Sequence, residues 1–245
     1  MQEWKYQPAR DLGLDQTERL KSVRRESGLA GLIARNLWWW WVRAVLRLSQ
    51  RVEATGGEHL PKAAPFVLVA NHSRHLDVMV LATALPLRLR NHVLPLAAGD
   101  TFFETPVLSL FAAEMMNALP MWRKHCGRHA IETLRERLVQ EPCAYILFPE
   151  GTRSRDGKLA PFKHGIGMLV AGGAVPVIPC HLTGTFEALP PGAKWPHPTK
   201  ITLRIGAPQT FPNTPNDRHG WQTIAETLQD EVKKLGYATS AANMG

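Results

Sequence analysis

The amino-acid sequence predicts an α/β layered fold: a largely parallel central sheet flanked by helices, with an amphipathic helix ahead of it. Three observations carry that expectation. Short apolar runs at residues 66–70, 143–148 and 175–179 have the length and the β-branched or aromatic content of buried strands. Stretches of helical character separate them, the alternation that builds parallel sheets. A chain of 245 residues with 44% apolar content can also bury one sizeable core. The expected organisation is an arm and helix over residues 1–50 and a single domain over residues 51–245.

In chain order, residues 1–28 are polar and mixed in charge, fitting a flexible arm or a loosely packed helix. Residues 29–48 follow, with four of the eight tryptophans in one run, Trp38 to Trp41. At the helical period Arg35, Arg43 and Arg47 share a face. Ile33, Leu37, Trp38, Trp40, Trp41, Val45 and Leu48 occupy the opposite arc. Three arginines make a poor membrane-spanning helix. A cationic face and an aromatic-apolar face fit a helix lying in the membrane interface. The alternative is a helix packed on the core with its arginines solvated.

Residues 52–65 read as a loop, with Gly56, Gly57, Pro61 and Pro65. After the strand at 66–70 and a polar loop, residues 78–85 have helical character and Pro86 ends them. Residues 91–98 suggest another strand. Residues 99–117 are expected to be helical in part from Thr105 and Pro106, since proline suits a first helical turn. Leu119, Pro120, Met121 and Trp122 lead to the basic pair Arg123 and Lys124. Residues 127–140 form an amphipathic helix with good helix formers. Residues 201–205 alternate as a half-buried strand, after a Pro-rich loop at 187–200. Residues 221–235 form a closing helix, with Gly236 as its expected stop.

The formal net charge of +8 and pI near 9.7 favour an anionic partner. The lysines and arginines are scattered, and the tryptophan run is too amphipathic for a base-stacking platform, so nucleic acid is not the expected partner. Cys126, Cys143 and Cys180 show no CxxC spacing and suggest free thiols in a reducing compartment. The first residues lack the order of a signal peptide. Residues 164–186 carry no Asp, Glu, Lys or Arg and are long enough to span a bilayer. Five glycines and two prolines break them into a helix, a turn and a strand.

Two polar loops follow the strands at 66–70 and 143–148. The first reads Asn71, His72, Ser73, Arg74, His75, Leu76, Asp77. A neutral imidazole can take a proton from a hydroxyl, and a carboxylate on its other nitrogen sets the tautomer and stabilises the imidazolium. Either His72 or His75 could pair with Asp77, and the three together could be read as metal ligands. The second loop reads Phe148, Pro149, Glu150, Gly151, Thr152, Arg153, Ser154. Gly151 permits close backbone approach, Arg153 offers a donor fork suited to phosphate, and Thr152 and Ser154 add hydroxyls. Glu150 could orient Arg153 or accept from a substrate hydroxyl. Nothing resembles the G-x-S-x-G elbow of a serine nucleophile.

Together, the N-H-x4-D pattern of Asn71, His72 and Asp77 and the F-P-E-G-T-R-S run resemble the glycerolipid acyltransferase family, typified by 1-acyl-glycerol-3-phosphate acyltransferases. Arg123, the Phe162-Lys163-x-Gly165 block and residues 175–179 match further family blocks in order, so the resemblance covers roughly residues 52–210. It implies acyl transfer from acyl-CoA or acyl-carrier protein to a lysolipid hydroxyl, with no resident cofactor and no metal. In that scheme His72 is the general base, Asp77 its partner, Arg123 and Arg153 the phosphate contacts, and Glu150, Gly151 and Thr152 part of the substrate site. The family spacing favours His72 over His75. The expected location is the cytoplasmic face of a membrane with anionic lipids, held peripherally or monotopically. One departure stands out: many members carry a lysine before the Arg123 block, where this chain reads Ala97, Ala98, Gly99, Asp100, Thr101. That keeps other acceptors open: glycerol-3-phosphate, other lysophospholipids or a lyso-aminolipid. A catalytically idle membrane-binding relative is the reading from another class.

Overall fold

The computed structural model describes residues 11–22, 25, 28–122, 128–193 and 195–242. Its centre is one sheet of seven strands: β1 (Glu53–Thr55), β2 (Phe66–Ala70), β3 (Val93–Ala98), β4 (Leu119–Met121), β5 (Ala144–Leu147), β6 (Val177–Thr183) and β7 (Thr202–Ile205). Their spatial order is β1-β7-β6-β2-β5-β3-β4. Every neighbouring pair is parallel except β6 with β7. The expected α/β layered fold with a largely parallel sheet is what forms.

The five residues of β2 are all buried, as a strand covered on both faces requires. Phe66 and Leu68 face a layer that includes α2 (Leu29–Gln50) and α3 (Leu76–Ala84), represented by Trp39, Val42 and Leu81. Val67 and Val69 face the opposite layer of α7 (Arg128–Gln140), α8 (Gly165–Val170) and α10 (Arg218–Ala242), represented by Leu134, Ile166 and Leu228. Alternation along one buried strand thus feeds two cores.

Several boundaries differ from the sequence reading. β1 and β4 fell in stretches read as loop or left unassigned. Three residues each are too few to show a period, and pairing with β7 and β3 makes them strands. β6 begins later than expected and runs on to Thr183, because its second half pairs with β7. α3 begins at Leu76, so Asp77 lies in its first turn. α10 passes through Gly236 instead of stopping there. The missing side chain leaves room for a neighbour: a Cβ at Gly236 would come 2.7 Å from His181 Nε2. Of the arm, residues 1–10 lie outside the described residues; α1 (Gln16–Lys21) is a short helix with a capping box between Asp15 and Glu18.

The orientation of α2 is the main correction. Two of its three face arginines turn towards the protein. Arg35 is buried, and its Nε donates to the Glu114 carbonyl at 3.0 Å. Arg43 donates to the Thr83 carbonyl at 3.1 Å, while Arg47 is exposed. The last carbonyls of a helix lack partners inside it, and arginine reaches them while its stem covers apolar surface. Arg90 serves the same helix end, donating to Ala82 and Leu85. Turning Arg35 and Arg43 inward leaves Leu29, Ile33, Leu37, Trp40, Trp41 and Leu48 exposed along α2. Trp38 instead packs edge-on against Phe111, with ring centroids 5.1 Å apart. Phe111 opens a single π-helical stretch, Phe111–Met115, after α5 (Gly99–Phe102) and α6 (Pro106–Leu110). Among the described residues, no helix is long and apolar enough to cross a membrane.

Candidate active site

β2 and β5 are parallel neighbours in flush register, Phe66 beside Ala144 and Val69 beside Leu147. The loops that leave their carboxyl ends therefore emerge side by side, although 78 residues separate His72 from Glu150. Carboxyl ends of strands in open α/β sheets are where ligands commonly bind.

Backbone ties hold the first loop. The Asn71 side chain donates to the Leu182 carbonyl at 2.9 Å and accepts from the Leu182 N–H at 2.8 Å, fixing the loop to β6. Asp77 is fully buried. Its Oδ2 accepts from the Ser73 and Arg74 N–H groups at 2.6 and 2.7 Å and from His72 Nδ1 at 2.8 Å. Since the carboxylate accepts at Nδ1, that nitrogen carries the proton and Nε2 keeps its lone pair. The His72 ring lies flat on Phe148, centroids 4.1 Å apart, which fixes its plane.

Glu150 joins the two loops. It is buried, and its two oxygens accept from the His72 N–H at 2.6 Å and the Ala160 N–H at 2.9 Å. Burial pushes its carboxyl up, against the pull of those two donors. Among the described residues it does not meet Arg153 or line the cavity below; in this structure it ties the two loops together. The Ser154 N–H donates to the His72 carbonyl at 2.8 Å, a second tie.

Arg74 and His75 do work the sequence did not announce. The Arg74 guanidinium is buried across the junction, donating to the carbonyls of Leu189, Ser73 and Ser154 and lying 4.2 Å over the Phe186 ring. His75 does not pair with Asp77. Its Nε2 accepts from Arg153 at 2.6 Å, and its ring stands edge-on to Phe102. Burial and then the Arg153 charge depress its pKa to about 4, so it is neutral and free to accept. A histidine beside the expected base was the available signal; its partner on the other strand was not visible.

His72, His75, Gly151, Thr152 and Arg153 line a cavity of about 520 Å³. Its walls are otherwise mainly apolar and come from both layers, including Met79, Phe111 and Met116 on one side and Ile131, Leu134 and Leu169 on the other. Gly151 has φ +73, a backbone that favours glycine. Arg123 lies outside the described residues. Among those described, no group of three His, Cys, Asp or Glu side chains converges as a metal site.

This geometry offers an imidazole with a free lone pair, a buried carboxylate behind it, a cation at the rim and an apolar cavity beside them. A family model described as Acyltransferase matches residues 51–183, which contain both loops. The chain belongs to the Acyltransferase family. Its similarity to individual members is moderate. It is 31% identical over 157 residues to the chloroplastic 1-acyl-sn-glycerol-3-phosphate acyltransferase BAT2 of Brassica napus, covering 63% of this chain and 43% of that one. It is 27% identical over 200 residues to the 1-acyl-sn-glycerol-3-phosphate acyltransferase of Saccharomyces cerevisiae, covering 79% and 63%. The chain thus spans less than two thirds of these relatives' lengths. The fold matches the crystal structure of the 1-acyl-sn-glycerophosphate acyltransferase PlsC from Thermotoga maritima with a TM-score of 0.63, at 24% identity over 86% of this chain and 81% of that one. His72, Asp77, Glu150 and Arg153 all lie within the matched segment.

Proposed function

We propose that the protein transfers a fatty acyl group from a thioester, acyl-CoA or acyl-carrier protein, to the free hydroxyl of 1-acyl-glycerol-3-phosphate, forming phosphatidic acid. The observation that carries this reading is the His72–Asp77 pair opening onto an apolar cavity with Arg153 at its rim. His72 Nε2 takes the hydroxyl proton as the acceptor oxygen attacks the thioester carbonyl. Asp77 supports the imidazolium through Nδ1. The tetrahedral intermediate collapses, the C–S bond breaks, and the imidazolium returns the proton to the leaving thiolate. The substrate hydroxyl is the nucleophile, so no acyl-enzyme is required. The cavity receives the acyl chain, and Arg153 holds the acceptor phosphate.

The membrane is the proposed partner that delivers the lipid. Exposed apolar residues on one face of α2, two of them tryptophans, suit the interface, and the +8 charge favours anionic lipids. Phe111, which packs on Trp38 of α2, also lines the cavity, so the cavity wall and the proposed membrane face are in contact. The decisive experiment is radiolabelled acyl transfer from both donors into a panel of lysolipids with purified protein in detergent. Phosphatidic acid formation supports the proposal; transfer only to a phosphate-free acceptor, or none at all, sinks it.

A further inference from the structure

Among the described residues, the titratable side chains lining the cavity are Arg153, Lys163, His72, His75 and His164, with no Asp or Glu among them. A wall of that composition favours an anion. Arg153 is oriented by His75. Lys163 reaches the same loop at Gly151. Its N–H donates to the Pro149 carbonyl at 2.9 Å, and the preceding Phe162 is buried, so the root of the side chain is fixed. Its stem then lies over Gly151: a Cβ there would sit 2.6 Å from Lys163 Nζ and 3.0 Å from its Cε. Gly151 is thus bare for two reasons, its φ and this crossing lysine. Among the described residues, the Lys163 ammonium has no ion-pair partner.

We propose that Lys163 is the second cation of the acceptor site and, with Arg153, selects lysolipids whose headgroup is a phosphate monoester. The inference rests on the acyl-transfer reading and adds a specificity residue to it. The chemistry is direct. A guanidinium can engage two phosphate oxygens in its plane, which leaves the third oxygen and much of a dianion's charge unmatched. A compact ammonium arriving from across Gly151 meets that remainder. A phosphodiester headgroup has one charge less and one free oxygen fewer, so it gains less from Lys163.

The test compares wild type, Lys163→Met and Lys163→Arg as full-length chains, by steady-state kinetics and by calorimetric binding of lysophosphatidic acid in detergent. Methionine keeps the apolar stem of an exposed side chain, and thermal melting is read alongside. Removing one charge-assisted contact is expected to raise both KM and Kd for lysophosphatidic acid about tenfold in Lys163→Met, with kcat and the donor KM little changed. Lys163→Arg restores most of the loss, and constants for lysophosphatidylcholine stay where they were. If wild type acylates lysophosphatidic acid and Lys163→Met leaves its acceptor constants unchanged, the role of Lys163 falls while the acyl-transfer reading stands. A rise confined to the donor KM places the lysine on the donor's phosphates and also overturns the proposal. If wild type neither binds nor acylates lysophosphatidic acid, both fall.

Discussion

Asp77 Oδ2 accepts three hydrogen bonds: two backbone N–H groups of its own loop and the Nδ1–H of His72. That crowding makes the carboxylate part of the loop's structure as well as of the chemistry, which separates the expected effects of two substitutions. His72→Ala removes the proton acceptor and leaves the loop ties, so kcat is expected to fall about 10³-fold with the melting temperature nearly unchanged. Asp77→Asn is expected to lower both, because a neutral amide oxygen in the place of Oδ2 is a weaker acceptor for three donors and the amide N–H groups are buried where Oδ1 has no partner among the described residues. Single-turnover rates and thermal melts on the two variants check this. Equal melting losses for both would contradict it. At the rim, Arg153→Ala is expected to raise the acceptor KM, and His75→Ala to raise it less, since His75 acts only by holding Arg153. A collapse of kcat in His75→Ala would mean that His75 and not His72 is the base.

On α2, the sequence pattern separated cationic from apolar residues correctly but left open which side faces the protein. Arg35 and Arg43 supply donors to carbonyls at the ends of neighbouring helices, a need set by those helices and invisible in α2 itself. The same packing exposes Trp40 and Trp41. Replacing both by Glu is expected to weaken binding to anionic liposomes more than tenfold, since each loses the burial of a large apolar side chain. Stability should hold nearly unchanged, because both rings are more than half exposed and Trp41 meets the protein through Trp38 at the core's edge. Co-sedimentation with vesicles against an oligonucleotide control, with melting curves, would settle it. Undiminished liposome binding would remove α2 as the membrane element.

At the scale of the whole molecule, His181 of β6 lies under α10, against Gly236. Its Nδ1 is buried with no partner among the described residues, and Gly236 leaves the room it needs. Burial, then the charge of Arg204, depresses its pKa from 6.5 to about 4, and His75 is depressed to about the same value. The sign follows from proton uptake. Below pH 6.5 the unfolded chain protonates these imidazoles while the folded chain does not, so acid stabilises the unfolded state. Folding stability is expected to drop as pH falls from 6.5 towards 4, and His181→Gln to flatten that slope. Urea melts at stepped pH provide the measurement; an unchanged slope in the variant would show that His181 is solvated when folded.

By itself the sequence determined the fold class, the buried strands and the two polar loops that carry the candidate site. Those features are local: an apolar run between turn residues is a strand wherever it lies, and His72, Asp77, Glu150 and Arg153 sit in two short contiguous stretches. Tertiary structure decided who meets whom. The flush parallel register of β2 and β5 turns 78 residues of separation into the 2.6 Å contact between Glu150 and the His72 backbone. Tertiary packing also sends Glu150 inward, gives His75 to Arg153, brings Lys163 across Gly151 and turns Arg35 and Arg43 of α2 towards the protein. Each of these depends on the direction of a side chain relative to a distant element, and such a direction leaves no periodic trace along the chain that carries it.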